Sequence, residues 1–216
     1  MIKKLLLKIP ANYEEAKTQS VQIDQQLGFS ISEVEQRLLA RQADFKINDQ
    51  QIWSHLSPQV WQTPYSEIRE MIDQLDPQDG ETWLDLGAGY GRMGIVLGML
   101  RPRVKFVGYE LVQERANEGQ RIFEKLDLAN CILKQADIAA ADFELMTAEA
   151  YFIYDFGTRK NILAMLERLK EIAKKRNIRV IGRGRDIRQW IGYSHPWLSQ
   201  VVEPVHFEHW SVYWSA

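Results

Sequence analysis

The chain has 216 residues, 45% of them apolar and 26% charged, and a formal net charge of −2. That is enough for one sizeable core with an appendage, and it excludes wholesale disorder. The charge balance gives no whole-molecule attraction to nucleic acid or anionic lipid, so any such contact needs a local patch. The single cysteine, Cys131, permits no intramolecular disulfide and sits in an apolar run that predicts a buried thiol. Met1–Lys8 has the basic opening of a signal peptide, but Lys8 and Pro10 break too short an apolar stretch. No run approaches the ~20 apolar residues of a membrane span. The expectation is a cytoplasmic protein without membrane contact.

Residues 1–62 are polar and poor in strand signals, and predict an N-terminal helical extension. Ser32 caps a helix through Val34, Leu38 and Leu39, with Glu35 completing a capping box. Asp49 to Leu56 predicts a short second helix. Thr63-Pro64-Tyr65 opens a further helix, with Ile68, Met71, Ile72 and Leu75 at helical spacing. Strands and helices then alternate through the domain expected over 63–216. The strands are Thr82–Leu86, Lys105–Glu110, Cys131–Lys134, Ala150–Tyr154 and Ile178–Ile181. The helices are Gly91–Leu100, Val112–Leu126 and Thr158–Lys175. Such alternation means a parallel sheet covered on both faces. Gln200–Val205 and Phe207–Trp214 predict a closing hairpin.

The chemistry gathers at Asp85-Leu86-Gly87-Ala88-Gly89-Tyr90-Gly91, where a buried strand meets a glycine turn and then a helix. Gly87, Gly89 and Gly91 allow backbone to approach a ligand closely. Glycines alone equally suit a tight turn with no ligand. Two acids narrow the choice. Asp85 closes the first strand, and Glu110 closes the second at the end of Gly108-Tyr109-Glu110. Glu110 suits a pair of ribose hydroxyls, as acids do in dinucleotide sites. Asp85 suits an ammonium group. Ribose and ammonium together point to S-adenosylmethionine (SAM). The rival frame, Gly89-Tyr90-Gly91-Arg92-Met93-Gly94, matches the dinucleotide G-x-G-x-x-G. It would set a pyrophosphate against Asp85, which is repulsive.

These two motifs resemble motifs one and two of the class I, seven-stranded SAM-dependent methyltransferases. The resemblance covers about residues 63–216. It implies a three-layer α/β sandwich with a mostly parallel sheet in the order 3-2-1-4-5-7-6. It also implies a cofactor site of Asp85, Gly87, Ala88, Gly89, Tyr90, Gly91, Glu110 and Leu111, with Asp137 and Ile138 at the adenine. Tyr154-Asp155-Phe156 then falls at the methyl-transfer site, where Asp155 and Tyr154 are the candidate catalytic residues and Phe156 faces substrate. Thr63-Pro64-Tyr65 ahead of the first strand resembles the non-SET protein-lysine methyltransferases, in which such a segment closes the SAM pocket through Thr63 or Tyr65.

The expected function is therefore SAM-dependent methyl transfer to a protein side chain, lysine favoured. The alternatives are a small-molecule or RNA methyltransferase, a non-catalytic SAM- or nucleotide-binding module, and an NAD-dependent oxidoreductase. Nucleic acid is a possible but not a favoured partner. Arg183, Arg185 and Arg188 follow the fifth strand on the rim where substrate enters, and suit an acidic segment or a phosphate. No metal is expected. His206 and His209 lie three apart, which on a strand places them on opposite faces.

Overall fold

Seven strands join in one sheet: β1 Thr82–Leu86, β2 Lys105–Glu110, β3 Cys131–Gln135, β4 Ala150–Ile153, β5 Arg179–Arg183, β6 Val205–His206 and β7 Trp210–Trp214. Their order is β3-β2-β1-β4-β5-β7-β6, as expected. The computed structural model describes residues 2–41, 56–154 and 156–215. β1 to β5 pair in parallel, and β7 runs antiparallel between β5 and β6. The central strands are apolar on both faces because both faces are covered.

The helices are α1 Ile2–Leu6, α2 Tyr13–Leu27, α3 Ile31–Ala40, α4 Pro58–Trp61, α5 Tyr65–Leu75, α6 Arg92–Leu100, α7 Gln113–Lys125, α8 Arg159–Ala173 and α9 Arg185–Ser194. On one face of the sheet Trp83, Phe106 and Phe152 pack with Met71 of α5, Val96 of α6 and Phe123 of α7. Leu6, Ile23 and Leu27 of the N-terminal helices join that same cluster. On the other face Leu84, Val107 and Ile153 pack with Leu166 of α8 and Ile187 of α9.

Several elements depart from the sequence reading. α2 is a full 15-residue helix, begun by the Asn12 side chain accepting from Glu15 N. α3 starts at Ile31 with Ser30 in the cap position and no side-chain cap bond. Glu35 therefore closes no capping box, and its carboxylate binds Tyr90 and Arg115 instead. α9 occupies residues read only as a basic rim, and the hairpin strands are shorter than expected. The helix expected from Asp49 to Leu56 lies, except for Leu56, outside the described residues.

Candidate cofactor and acceptor sites

β1 delivers Asp85 near the C-terminal end of an inner strand, and the chain then turns through three positive-φ glycines into α6. A Cβ on Gly87 would stand 2.5 Å from Phe156 Cβ, and one on Gly89 would stand 3.0 Å from the Trp61 ring. The turn therefore needs glycine for contact as well as for backbone angle. Gly87 N and Ala88 N both donate to the Tyr109 carbonyl, at 3.0 and 2.8 Å, which ties the tips of β1 and β2 together.

Beside this turn lies a cavity of 210 Å³. Of the expected cofactor residues, Thr63, Asp85, Gly87, Ala88, Gly89, Glu110, Leu111, Asp137, Ile138 and Tyr154 line it, and so does Phe156. Glu110 is held firmly. Its Oε2 accepts from Gly89 N at 2.8 Å and its Oε1 from Val112 N at 2.9 Å. Each oxygen keeps a further lone pair for a hydroxyl donor. Asp85 is 5% exposed and has no hydrogen bond or ion pair among the described residues. Burial, with the nearby Glu110 charge, pushes its carboxyl up to about 8. A buried carboxylate without a partner is what an incoming cation would stabilise.

Three expected cofactor residues lie off the cavity wall. Tyr65 is fully buried, and its hydroxyl donates to Asp24 Oδ1 at 2.8 Å. The Tyr90 hydroxyl donates to Glu35 Oε1 at 2.6 Å. Gly91 caps α6 and packs beneath Phe123. Asp155 lies outside the described residues.

A second cavity adjoins the first, and Tyr154 lines both. Tyr13, Arg183, Arg185, Arg188, Glu208 and His209 complete most of its wall. Arg183 is not the free rim cation the sequence suggested. It is 5% exposed, and it donates to both oxygens of Glu67 at 2.6 and 3.1 Å and to the Tyr13 hydroxyl at 3.0 Å. Its guanidinium also stacks 4.4 Å from the Tyr154 ring centre. Arg188 is occupied by Ser211 Oγ and by the Phe207 and Trp210 carbonyls. Arg185 is exposed and makes no ion pair among the described residues. The imidazole of His209 lies 4.9 Å from the Tyr13 ring, while His206 Nδ1 contacts Ser211 Oγ.

Trp61, Gln62, Arg92 and Arg115 also line the first cavity, and the sequence reading passed over them. Two of them carried a signal. Arg92 and Arg115 sit in the first turns of α6 and α7, where a cation opposes the helix dipole. Such a placement asks for a partner from elsewhere. Asp24 of α2 supplies it for Arg92, and Glu35 of α3 binds Arg115 through two contacts of 2.8 and 2.9 Å. The N-terminal helices thus fix two arginines of the cavity wall.

No protein-family profile matches the sequence. The chain is 24% identical over 140 residues to a ribosomal RNA small subunit methyltransferase G of Erythrobacter litoralis, a match covering 64% of this chain and 65% of that protein. Among solved structures, an RNA methyltransferase from Salinibacter ruber in complex with S-adenosyl-L-homocysteine aligns at 18% identity and TM-score 0.50, covering 71% of this chain and 91% of that one. The C-terminal domain of precorrin-6Y C5,15-methyltransferase from Rhodobacter capsulatus aligns at 16% identity and TM-score 0.53, covering 71% and 88%. With the strand order and the antiparallel seventh strand, these likenesses give the chain the class I, seven-stranded fold of SAM-dependent methyltransferases.

Proposed function

We propose that this chain binds SAM in the first cavity and transfers its methyl group to an acceptor arriving past Tyr154. The pair of carboxylates across the glycine turn carries this reading: Asp85 without a partner, and Glu110 aimed by two backbone N–H groups. Glu110 accepts the ribose hydroxyls and Asp85 takes the ammonium. Leu111 and Ile138 flank the adenine, with Asp137 at its edge. Thr63, Ala88 and Gly89 shape the remaining wall. When bound, SAM supplies a methyl group already activated on a positively charged sulfur. The residues of the chain then have chiefly to align the reactants. Tyr154 faces both cavities and orients the incoming nucleophile, with Phe156 as the apolar wall beside it.

RNA, rather than protein lysine, is the acceptor we favour. The curated relative is by its name a ribosomal RNA enzyme. The second cavity also suits RNA, since it sets the flat rings of Tyr13, Tyr154 and His209 beside the exposed Arg185. Aromatic faces stack on bases, and a guanidinium binds phosphate.

Calorimetric titration with S-adenosylhomocysteine, NAD and ATP tests the cofactor, and methyl-labelled SAM with ribosomal subunits tests the acceptor. Homocysteine-product binding at micromolar level is expected, with label that ribonuclease releases. NAD binding without adenosyl-homocysteine binding would sink the methyltransferase reading. Label in ribosomal protein would restore the lysine one.

The raised carboxyl of Asp85 gives a pH dependence with a definite sign. Below about 8 the ligand-free carboxyl is mostly protonated and must ionise to meet the ammonium. Affinity for S-adenosylhomocysteine should therefore rise with pH, by roughly tenfold per unit between pH 6 and 7. The slope should vanish in Asp85→Asn. In the ligand-free protein the same group works against the fold as pH rises from 3.8 to about 8, because the folded chain retains a proton that the unfolded chain has released.

A further inference from the structure

Asp85 answers the ammonium end of an amino acid, and a second cluster on the same wall has the opposite chemistry. Gln62 is 6% exposed and Arg92 is 4% exposed, and both line the cavity that Asp85 faces. Gln62 Nε2 and Arg92 Nε are buried donors with no acceptor among the described residues. Buried donors are rarely left unmade, because each forfeits its hydration without replacement. Their segments meet: the carbonyl of Thr63, next in the chain to Gln62, accepts from Arg92 Nη1 at 3.3 Å. Nη2, which shares an edge of the guanidinium with Nε, is occupied by the Asp24 carboxylate and by Gln59 Oε1 at 3.3 Å. The cavity thus holds a carboxylate lacking a donor and, elsewhere on its wall, donors lacking an acceptor.

We infer that Gln62, backed by the Arg92 guanidinium, holds the α-carboxylate of the cofactor's amino-acid moiety; the inference rests on the SAM reading above. Asp85 and this pair then bind the two ends of one zwitterion. Gln62 supplies a neutral amide that fixes orientation, and Arg92 supplies the positive field, partly offset by Asp24. Trp61 Nε1 is a third donor in the same segment without an acceptor among the described residues. Its ring lies against Gly89 and 4.5 Å from the Arg115 guanidinium, toward Glu110, so we do not place it at the carboxylate. Gln62 and Arg92 are in this account positioning residues, and they make the site selective for an adenosyl ligand that retains its carboxylate.

The test compares S-adenosylhomocysteine with S-adenosyl-3-thiopropylamine, the same molecule without its carboxylate. Both are titrated calorimetrically into the wild-type chain, Gln62→Leu and Gln62→Glu, with thermal melts to check folding. The wild type should prefer the carboxylate-bearing ligand by about tenfold to a hundredfold, the worth of a charge-assisted hydrogen bond. Gln62→Leu should lose most of that preference while binding the decarboxylated ligand as before. Gln62→Glu, of the same shape, should reverse it. Equal binding of the two ligands by the wild type, or an undiminished preference in Gln62→Leu, overturns the inference alone. If neither ligand binds the wild type, the SAM reading fails and the inference falls with it.

Discussion

Arg92→Met should lower the stability of the folded chain by about 3–5 kcal/mol, measured as a shift in the denaturant midpoint at constant slope. The guanidinium is 4% exposed and pairs with Asp24, itself 5% exposed. It also lies 5.0 Å from the Tyr65 ring centre. Removing it leaves the Asp24 carboxylate buried, with the Tyr65 hydroxyl as its remaining donor. Removing both charges avoids that cost, because a buried pair replaced by apolar groups is often neutral. The double variant Arg92→Met with Asp24→Leu should accordingly recover at least half of the loss. A single variant that unfolds at the wild-type midpoint would show that α2 is not held to the cavity wall by this pair.

Glu110→Ala should weaken S-adenosylhomocysteine binding by about a hundredfold or more, read from the calorimetric Kd. Two charge-assisted bonds to ribose are lost, each worth about 1.5–3 kcal/mol. The glycine turn loosens as well, since Gly89 N and Val112 N lose their acceptor. Glu110→Gln keeps the shape and one acceptor, and should fall between the two. An affinity within threefold of wild type in Glu110→Ala would remove the ribose assignment. Thermal melts of each variant exclude a nonspecific collapse of the pocket.

The sheet and the glycine turn were legible because each strand of a covered parallel sheet is a continuous apolar run, with its ends marked by glycine and acid. Asp85 and Glu110 stood out for the same reason, as acids closing apolar runs. α2 was not legible because much of its buried face is polar. Gln19, Ser20 and Asp24 are all buried there, and each makes a hydrogen bond to a residue outside the helix. No apolar periodicity reveals such a face. α9 did carry Ile187 and Ile191 at helical spacing, but its arginines drew the reading toward a ligand-binding rim. The role of Arg183 depended on Glu67, more than a hundred residues earlier in the chain, a contact that only the fold creates. The preference for lysine over RNA comes from Thr63-Pro64-Tyr65 in combination with the helix after it, the glycine turn ending in Arg92 and Gly108-Tyr109-Glu110. Of these, Thr63 reaches the cavity, whereas Tyr65 turns to Asp24.

The placement of β7 between β5 and β6 has a consequence for synthesis on the ribosome. β5 is buried along nearly its whole length, yet its partner on one side is made later than every other strand of the sheet. β5 therefore leaves the ribosome before its β7 neighbour can pair with it. Until β7 inserts, Val180 and Ile181 present an unpaired, apolar strand edge, the kind of surface on which chains pair with one another. Insertion of the last strand ends that exposure.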